Sequence, residues 1–421
     1  MREMKNSGVE WIGEIPVDWD ILPAKRFFRN VKRVAGKDAD NFERLALTLN
    51  GVIKRSKTDN EGLQPEQFES YQILKENEMV FKLIDLENVK TSRVGLSSYT
   101  GLVSPAYIVL TNDNTDNRFY YYWFISMYYN EVFNRLGGAG VRSALNAKDL
   151  LNIPAPNLNE SERKSIADFL DEKCAKIDAV IEKQKQVIEK LKEYKLSVIT
   201  EAVTKGLDPT VPMKDSGVEW IGEIPKDWEI KKLKYATTIM RGRFNHRPRN
   251  DPDYYDGQYP FVQTGDVARA KKYITDYSQT LNDLGYSVSK EFPSDSIVMT
   301  IAANVADVAI LTFNACFPDS VVGFVPKNIE PMYLYYALIA MKQQLLRNAI
   351  ISTQLNLNIE IIKEEFVPIP SKEEQRDILI ALDKKNEIID SAISKKQAIV
   401  ENLTEYKKSL IYEVVTGKRE V

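Results

Sequence analysis

The sequence predicts an α+β protein in which two mixed α/β domains are joined by two long, antiparallel coiled-coil helices. Three observations support this fold class: an opening segment occurs twice, a long helical segment occurs twice, and the blocks between the repeats differ. Residues 4–21 and 213–230 differ only at Asn6/Asp215, Val17/Lys226 and Asp20/Glu229. The chain is therefore an internal duplication, and we expect its halves to be related by a pseudo-twofold axis.

The repeated helical segments are Leu170–Thr204 and Leu382–Thr416, which contain neither Gly nor Pro. Apolar residues alternate in steps of three and four, the heptad spacing of a coiled coil. We expect the helices to pair within the chain, with pairing to another subunit as the alternative. The predicted interface residues are Ile177, Val180, Val187, Leu191, Tyr194, Val198, Ile389, Ala392, Ile399, Leu403, Tyr406 and Leu410.

Local signals also fix where these helices begin and end. Asn159 and Ser371 have side chains that suit N-caps, and acidic residues follow them in the first turn. Gly206 and Gly417 stand where the apolar pattern stops, and glycine is the usual residue just past a helix end. Each helix is therefore predicted to span the whole repeated segment.

The blocks between the repeats are typical of mixed α/β domains, with short β-branched runs followed by a helical stretch. We predict strands at 79–83, 93–96 and 106–110 and a helix at 119–135 in the first block. In the second we predict strands at 259–263, 296–300, 308–312 and 320–324 and a helix at 332–347. The predicted domains are 1–155, the helix 156–206, 207–370 and the helix 371–421, and the two blocks share one fold plan.

Composition excludes several kinds of site. The 421 residues carry a net charge of −3 and include one histidine, His246, and two cysteines, Cys174 and Cys316. One histidine rules out a HExxH metalloprotease, and so few Cys and His residues nearly exclude a zinc site. The opening residues form no apolar leader, and no stretch approaches the ~18 apolar residues that cross a bilayer. We expect a reduced, cytoplasmic protein that does not enter a membrane.

Basic clusters in both blocks are candidates for DNA contacts, because a guanidinium donates two parallel hydrogen bonds to phosphates or guanine edges. Any one cluster could instead be an ordinary solvated surface, but clusters in two matched blocks favour DNA binding. The residues are Lys54, Arg55 and Lys57 in the first block and Arg241, Arg243, Arg247 and Arg249 in the second.

The order of variable block, helix, second block and second helix resembles the specificity (S) subunit of a type I restriction–modification system. Supporting motifs are the two GVEWIGEIPxDW openings, the YPFVQTGD run at 259–266, the TQLN loop at 353–356 and the EYKxSxI helix endings. The first block departs from the pattern, since its counterpart of the YPFVQTGD run, LALTLNGV at 45–52, lacks the aspartate. The resemblance adds these candidate DNA-binding residues: Gln263, Thr264, Asp266, Thr353, Gln354, Asn356, and in the first block Arg142, Ser143 and Asn146.

The resemblance implies that each variable block is a target recognition domain reading one half of an asymmetric, bipartite sequence in double-stranded DNA. The helices would set the spacer and dock two methyltransferase subunits, and restriction subunits would join that complex. S-adenosylmethionine, ATP and Mg²⁺ would belong to those partners, and this chain would have no catalytic residue, metal or cofactor. We also expect Met1–Trp11 to dock beside Val415–Arg419, which would make the chain pseudo-circular.

Two other functions are considered. A non-catalytic scaffold with protein-binding heads would expose the aromatic run at 120–124, which we expect to be a buried helix core. An enzyme would need the DPPY-like run at 251–254, the Gly-rich run at 137–140, the acidic run at 171–173 or His246 as a base. None has the companion motifs of its class, so we favour turns, a solvated helix face and a DNA-contacting or exposed histidine.

Overall fold

Two units make up the chain, and each of the two long helices is divided between them. The computed structural model describes residues 2–59, 67–84, 86, 93–113, 116–137, 144–246, 249–351 and 355–421. Unit 1 comprises Met1–Lys185 and Gln397–Val421, and unit 2 comprises Gln186–Lys396. Boundaries that separate the helices from the blocks therefore stay a prediction.

Unit 1 is built from short strands, short helices and parts of both long helices. Its strands and short helices are β1 Met4–Asn6, β2 Glu14–Pro16, β3 Asp20–Pro23, β4 Arg29–Val31, β5 Arg44–Thr48, β6 Gly51–Arg55, β7 Gln72–Leu74, β8 Met79–Phe81, β9 Val94–Leu96, β10 Gly101–Val103, β11 Ile108–Thr111, α1 Arg118–Tyr129, α2 Val132–Leu136, α3 Ala147–Asn152 and β12 Pro154–Asn157. The first long helix, α4, spans Glu160–Lys205.

Unit 2 follows the same plan. Its elements are β13 Met213–Asp215, β14 Glu223–Pro225, β15 Glu229–Lys232, α5 Leu233–Ala236, β16 Thr237–Arg241, β17 Tyr255–Phe261, α6 Thr264–Arg269, β18 Tyr273–Ile274, β19 Gln279–Leu281, α7 Asp283–Ser287, β20 Glu291–Phe292, β21 Ile297–Thr300, β22 Val308–Leu311, β23 Ala315–Cys316, β24 Val321–Pro326, α8 Pro331–Ala340, α9 Lys342–Arg347, β25 Ile350–Ile351, β26 Leu355–Asn356, α10 Ile359–Glu364 and β27 Phe366–Ile369. The second long helix, α11, spans Lys372–Val415.

The sheet topology confirms that the two dissimilar blocks share a fold plan. In unit 1 the strand orders are β4-β11-β8-β9 and β6-β5-β10-β7, and in unit 2 they are β16-β24-β21-β22-β18 and β19-β17-β23-β20. Each second sheet contains one parallel pair, β5 with β10 and β17 with β23. The units differ where β5 turns directly into β6, whereas α6 and β18 lie between β17 and β19.

The predicted elements are largely confirmed, with three changes. The predicted helix at 119–135 is divided into α1 and α2 at Glu131, whose φ is 55°, and the one at 332–347 is divided into α8 and α9 at Met341. The predicted strand at 259–263 ends at Phe261, and Gln263 is the N-cap of α6. At this position the Gln263 backbone amide donates to the carboxylate of Asp266, three residues on, over 2.8 Å, so the chain turns into α6 there.

Each repeated opening segment is hydrogen-bonded to the first turn of a long helix. In unit 1 the Trp19 indole donates to Glu162 over 3.1 Å, and in unit 2 the Trp228 indole donates to Glu374 over 2.9 Å. Both acceptors lie in the first turn of a long helix. The same sequence therefore performs the same task in each unit.

The predicted docking of the N-terminal segment beside the end of α11 is confirmed. Tyr412 donates its hydroxyl hydrogen to the Ile12 carbonyl over 3.1 Å, and the Lys418 ammonium donates to the same carbonyl over 2.9 Å. Ile12 itself is fully buried. The first and last segments of the chain thus belong to one structural unit.

Each unit has its own hydrophobic core around one helix. In unit 1 the core contains Tyr120, Trp123 and Phe124 of α1, all at most 1% exposed, together with Leu410 and Val414 of α11. In unit 2 the core surrounds α8 and takes in the end of α4. The aromatic run at 120–124 is therefore core, as expected, and not an exposed protein-binding surface.

The predicted coiled-coil interface is wrong at four of its twelve residues. Val180, Tyr194, Ile399 and Tyr406 are 44%, 57%, 39% and 48% exposed, so they do not lie between the helices. Among the buried or half-buried positions, one set recurs in steps of three and four: Ile166, Leu170, Cys174, Ile177, Ile181, Gln184, Ile188, Leu191, Lys195, Val198 and Ala202 in α4, and Ile378, Leu382, Asn386, Ile389, Ile393, Lys396, Val400, Leu403, Lys407, Leu410 and Val414 in α11.

The error has a simple physical cause. Two adjacent residues can both fit a spacing of three and four along the sequence. They point about 100° apart around the helix, however, so only one of them faces the partner helix. The predicted interface contains Tyr194, which is exposed, whereas the side chain of its neighbour Lys195 is half-buried. Of the other predicted residues, Val198, Ile389 and Leu410 are buried, and Ile177, Val187, Leu191, Ala392 and Leu403 are half-buried.

The predicted helix ends are confirmed. The Asn159 side chain accepts a hydrogen bond from the Glu162 amide over 2.8 Å, and the Ser371 hydroxyl accepts one from the Glu374 amide over 3.2 Å. Gly206 and Gly417 have φ angles of +75° and +71°. Left-handed glycines at these places terminate both helices in the same way.

Candidate nucleic-acid interface

Two of the predicted arginines in unit 2 lie together on one surface. Arg241 ends β16, and its Nε donates to the Asp319 carbonyl over 2.7 Å. The Arg249 guanidinium is paired with the Asp319 carboxylate. Both arginines line an open groove of about 390 Å³, with Ser320 and Leu357 among the other lining residues. Two guanidinium groups, one at the end of the edge strand β16 and one in a turn, thus line the same accessible groove.

The strand around Arg243 separates basic side chains from a buried aromatic cluster. Arg241, Arg243 and Asn245 are exposed, whereas Phe244 is only 2% exposed and packs 5.2 Å from the Phe261 ring. The alternation is that of extended backbone, in which successive side chains point to opposite faces. The Arg243 guanidinium donates to the Ser289 carbonyl over 2.9 Å, so part of its donor capacity is used inside the unit. Arg247 lies outside the described residues.

His246 is held between two groups of the following turn. Its ring stacks on Tyr254 with 3.7 Å between centroids, and its Nε2 lies 3.0 Å from the Asp251 carboxylate. Asp251 also accepts a hydrogen bond from the Asp253 amide. The DPPY-like run therefore forms a capped turn that fixes the histidine, and the geometry is that of a structural contact.

Asp266 is wrongly predicted as a DNA contact. Its residue is 4% exposed, and its carboxylate accepts hydrogen bonds from the Gln263 amide over 2.8 Å and the Ser278 hydroxyl over 3.0 Å. Arg269 pairs with the same carboxylate. All three donors to this buried carboxylate come from the protein itself. Asp266 therefore holds neighbouring residues in place and does not contact DNA. Thr264, the first residue of α6, remains half-buried.

Gln263 lies next to a glutamine that sequence reasoning missed. The Gln263 Nε2 donates to the Gln279 Oε1 over 2.8 Å at the exposed surface. Both side chains line a pocket of about 220 Å³ together with Arg249, Asn250 and Tyr255. The only sequence signal for Gln279 was its polar character at the start of a short strand, and pairing with Phe261 required the register of β17 and β19.

The basic residues of unit 1 are partly neutralised by acids. The Lys54 ammonium lies 2.5 Å from the Glu43 carboxylate, and this hydrogen bond raises the pKa of Lys54. Arg55 is 3.4 Å from Asp59. Their placement on and beside β6 matches the position of Gln279 on β19, since β6 and β19 occupy the same place in their sheets. Each unit therefore presents polar and basic side chains from the equivalent strand.

Lys57 also faces an acid. Its ammonium donates to the Ala39 carbonyl over 2.8 Å and lies 3.7 Å from Asp40. The side chain of Lys57 is 28% exposed. These contacts leave Lys54 as the more accessible of the two lysines, with a side chain 51% exposed.

In each block a short helix, α3 or α10, begins at a capping asparagine. Asn146 accepts hydrogen bonds from the Lys148 and Asp149 amides at the start of α3. Its counterpart is Asn358, which accepts one from the Glu360 amide at the start of α10, and not the predicted Asn356. Asn356 is described only as part of β26, and Arg142, Ser143, Thr353 and Gln354 lie outside the described residues.

The runs considered for an enzymatic site have the following places in the structure. Within the described ranges, there is no cluster of three or more His, Cys, Asp or Glu side chains that could hold a metal ion. The acidic run at 171–173 is part of α4, where Asp171 accepts hydrogen bonds from Arg118 and Tyr122. Of the Gly-rich run at 137–140, only Gly137 is described. Across the described helices, none is long and apolar enough to span a membrane.

The chain is similar to specificity subunits of type I restriction enzymes. Residues 225–402 match the family described as the type I restriction modification DNA specificity domain. The MjaX type I restriction enzyme specificity subunit of Methanocaldococcus jannaschii is 26% identical across 97% of this chain and 95% of its own length. The EcoBI specificity subunit of Escherichia coli is 26% identical across 71% of this chain and 65% of its own.

The fold gives a further similarity. A chain solved in a study of complex assembly and conformational transition of a type I restriction–modification system superposes with a TM-score of 0.68 at 13% identity, covering 96% of this chain and 99% of that one. The fold plan, present twice, agrees with the sequence relatives. The family match over residues 225–402 and the relatives that align with most of the chain indicate a specificity subunit of a type I restriction–modification system.

Proposed function

We propose that this chain selects the target of a type I restriction–modification complex, with each variable block reading one half of an asymmetric, bipartite DNA sequence. The observation that carries the proposal is one fold plan used twice with different surfaces. Equivalent strands present Lys54 in unit 1 and Gln279 in unit 2. Different side chains on the same scaffold favour different bases, so the two half-sites differ.

Arg241 and Arg249 supply phosphate or guanine contacts in this proposal. Phosphate contacts make binding fall steeply with salt, because each one releases counterions from the duplex. Removing one such arginine is expected to lower the slope of log affinity against log salt by about 0.9. Arg347 is a matched control, because it is also exposed and paired with an acid, Glu219, 3.1 Å away.

The test uses the complex with its methyltransferase subunits and its target duplex. Affinity is measured across a salt series for the wild type and for Arg241→Ala, Arg249→Ala and Arg347→Ala. The proposal predicts a lower slope for the first two variants and an unchanged slope for the control. Equal slopes for all four proteins would contradict a role for these arginines in DNA binding.

Exchange of a block tests the division of labour. Replacing residues 1–155 with the block of a related subunit is expected to change one half of the methylated sequence and leave the other half and the spacer unchanged. Replacing 207–370 is expected to change the other half. A change in both halves after one exchange would refute the two-reader arrangement.

Exposed apolar side chains beside the helix seam support docking of methyltransferase subunits. Tyr406 is 48% exposed in unit 1 and its repeat counterpart Tyr194 is 57% exposed in unit 2, although both stand on heptad positions. Exposed aromatic residues are typical anchors of protein interfaces. One anchor in each unit accounts for two methyltransferase subunits per chain, and restriction subunits join through that complex.

A stoichiometry measurement checks this docking. Tyr194→Ala or Tyr406→Ala alone is expected to lower the number of bound methyltransferase subunits from two to one, measured as the mass of the complex in solution. Tyr235→Ala is the control, because Tyr235 is 65% exposed but lies on α5 in unit 2. Loss of both subunits from a single variant, or no loss from either, would contradict two equivalent sites.

The chain itself is proposed to be non-catalytic and to bind no cofactor. S-adenosylmethionine would bind the methyltransferase subunits, and ATP and Mg²⁺ the restriction subunits. The isolated chain is expected to transfer no methyl group to target DNA when S-adenosylmethionine is supplied, and methylation is expected to appear when methyltransferase subunits are added. Methylation by the chain alone would overturn this part of the proposal.

A further inference from the structure

A pair of glutamine amides forms an exposed hydrogen-bonding edge in unit 2. The Gln263 Nε2 donates to the Gln279 Oε1 over 2.8 Å, and the bond is solvent-exposed. Gln279 lies on β19 directly opposite Phe261 of β17, and Gln263 follows that strand by two residues. In each amide this bond leaves one hydrogen-bonding group unused, the Gln263 oxygen and the Gln279 nitrogen.

The backbone under both glutamines is fixed by one buried carboxylate. Asp266 accepts a hydrogen bond from the Gln263 amide over 2.8 Å and from the hydroxyl of Ser278, the residue before Gln279, over 3.0 Å. The Asp266 side chain is 1% exposed. Since this carboxylate joins the two segments, the glutamines are held at a defined separation before any ligand arrives, which lowers the entropic cost of binding.

Polar and aromatic groups surround the glutamine pair. The pocket of about 220 Å³ next to it is also lined by Arg249, Asn250 and Tyr255. Arg249 extends from this pocket into the neighbouring groove that contains Arg241. A guanidinium beside an amide pair provides one group for the DNA backbone and another for a base edge.

The hydrogen-bonding pattern of the pair does not depend on how the amides are oriented. With Gln263 as the donor, the Gln279 NH₂ and the Gln263 carbonyl oxygen are left for a ligand. With both amides flipped, the Gln263 NH₂ and the Gln279 oxygen are left instead. In both cases the pair offers one donor and one acceptor.

Among base edges in the major groove, this pattern matches adenine. Adenine presents the N7 acceptor beside the N6 donor, whereas guanine presents two acceptors, cytosine a donor and thymine an acceptor with a methyl group. We infer that Gln263 and Gln279 together read an adenine in the half-site recognised by the second variable block. The inference rests on the proposed function and adds a specific base and two specific residues to it.

The experiment compares complexes that contain the wild-type chain, Gln263→Ala, Gln279→Ala or Gln343→Ala. Gln343 is the matched control, because it is an exposed glutamine on α9 in the same unit. Methylated positions are mapped on genomic DNA, and affinity is measured for duplexes in which each adenine of that half-site is replaced in turn by 7-deazaadenine. That analogue lacks only the N7 acceptor.

The inference predicts that both site variants accept another base at one adenine position in that half-site, with the other half unchanged. It also predicts that 7-deazaadenine at that position lowers wild-type affinity about ten-fold or more and affects the site variants much less. The Gln343→Ala complex is expected to behave as the wild type does.

Three results would overturn it: unchanged specificity in both variants, relaxation at a position that is not adenine, or wild-type affinity that is insensitive to every 7-deazaadenine. The last measurement uses only the wild-type complex, so it decides the question even where a variant folds poorly. Failure of the proposed function would look different, because the wild-type complex would then methylate no defined sequence at all.

Discussion

The Lys407 ammonium lies 2.6 Å from the Asp178 carboxylate across the two long helices of unit 1. The repeat produces the same contact in unit 2, where Lys195 is 2.7 Å from Asp390. Because an aspartate and a lysine occur at matching places in both helices, each helix supplies a cation to one pair and an anion to the other. In each unit one of these contacts joins α4 to α11.

The first prediction concerns this ion pair. Asp178→Ala is expected to lower the free energy of unfolding by about 1 kcal/mol, because it leaves a lysine that is only 20% exposed without its anion. Lys407→Met is expected to cost less, about 0.5 kcal/mol, since an apolar side chain suits the seam. Denaturant unfolding at low and high salt measures both, with the exposed Lys192→Met as the control. A larger loss for Lys407→Met than for Asp178→Ala would contradict this account.

The second prediction compares the two helix-ending glycines. A Cβ on Gly417 would lie 2.4 Å from Pro16, whereas one on Gly206 would meet nothing closer than Trp228 at 3.2 Å. Both positions have positive φ, so alanine is strained at either, at about 1–2 kcal/mol. Gly417→Ala is expected to lose about 1–3 kcal/mol more, because the clash is with a rigid ring. Thermal unfolding measures the loss of stability in each variant. Equal losses would show that Pro16 and the opening segment move away from the new Cβ at no cost.

The third prediction separates support from recognition in unit 2. Asp266→Ala is expected to lower the free energy of unfolding by about 2–3 kcal/mol, because it leaves the Gln263 amide and the Ser278 hydroxyl without their acceptor. Asp283→Ala, at the exposed start of α7, is the control, although it removes the acceptor of Tyr259. Chemical unfolding with an intrinsic fluorescence probe measures both. A negligible loss of stability for Asp266→Ala would contradict a structural role and would make Asp266 a candidate for DNA contact again.

Much of the fold could be predicted from the sequence, because segments that are repeated in the sequence are expected to have the same structure and contacts. The clamp of Trp19 and Trp228 on the helix starts lies within the repeated openings, and the docking at Ile12 followed from the same repeat. The choice between Tyr194 and Lys195 at the seam was not accessible, because heptad spacing is equally satisfied by neighbouring residues. Only packing against the facing helix distinguishes them.

The candidate site was less accessible for a related reason. Arg241 and Arg249 were found from local charge, but their common partner Asp319 is distant in sequence. The charge of Asp266 suggested a DNA contact, but the residue is buried and its carboxylate stabilises the fold. Gln279 carries no charge, and its meeting with Gln263 depends on strand register, which a single sequence does not reveal.

The last prediction concerns pH and a buried carboxylate in unit 1. Glu78 is 5% exposed, and its two oxygens accept hydrogen bonds from the Arg33 guanidinium, both over 2.8 Å. Burial alone would raise the pKa of Glu78, but Arg33 and the Lys75 amide outweigh it, so the pKa is lowered in the folded state. A carboxylate with a depressed folded pKa stabilises the protein above its unfolded pKa, and that contribution is lost as pH falls through the folded pKa.

Glu78→Gln is therefore expected to cost about 1–2 kcal/mol at neutral pH, because the amide cannot accept both guanidinium bonds. The difference from the wild type is expected to shrink as pH falls below about 4, where the glutamate of the unfolded chain is already protonated. Unfolding curves for both proteins between neutral and acidic pH measure this, with the exposed Glu76→Gln as the control. A difference that stays constant to low pH would mean that shape, and not charge, makes Glu78 stabilising.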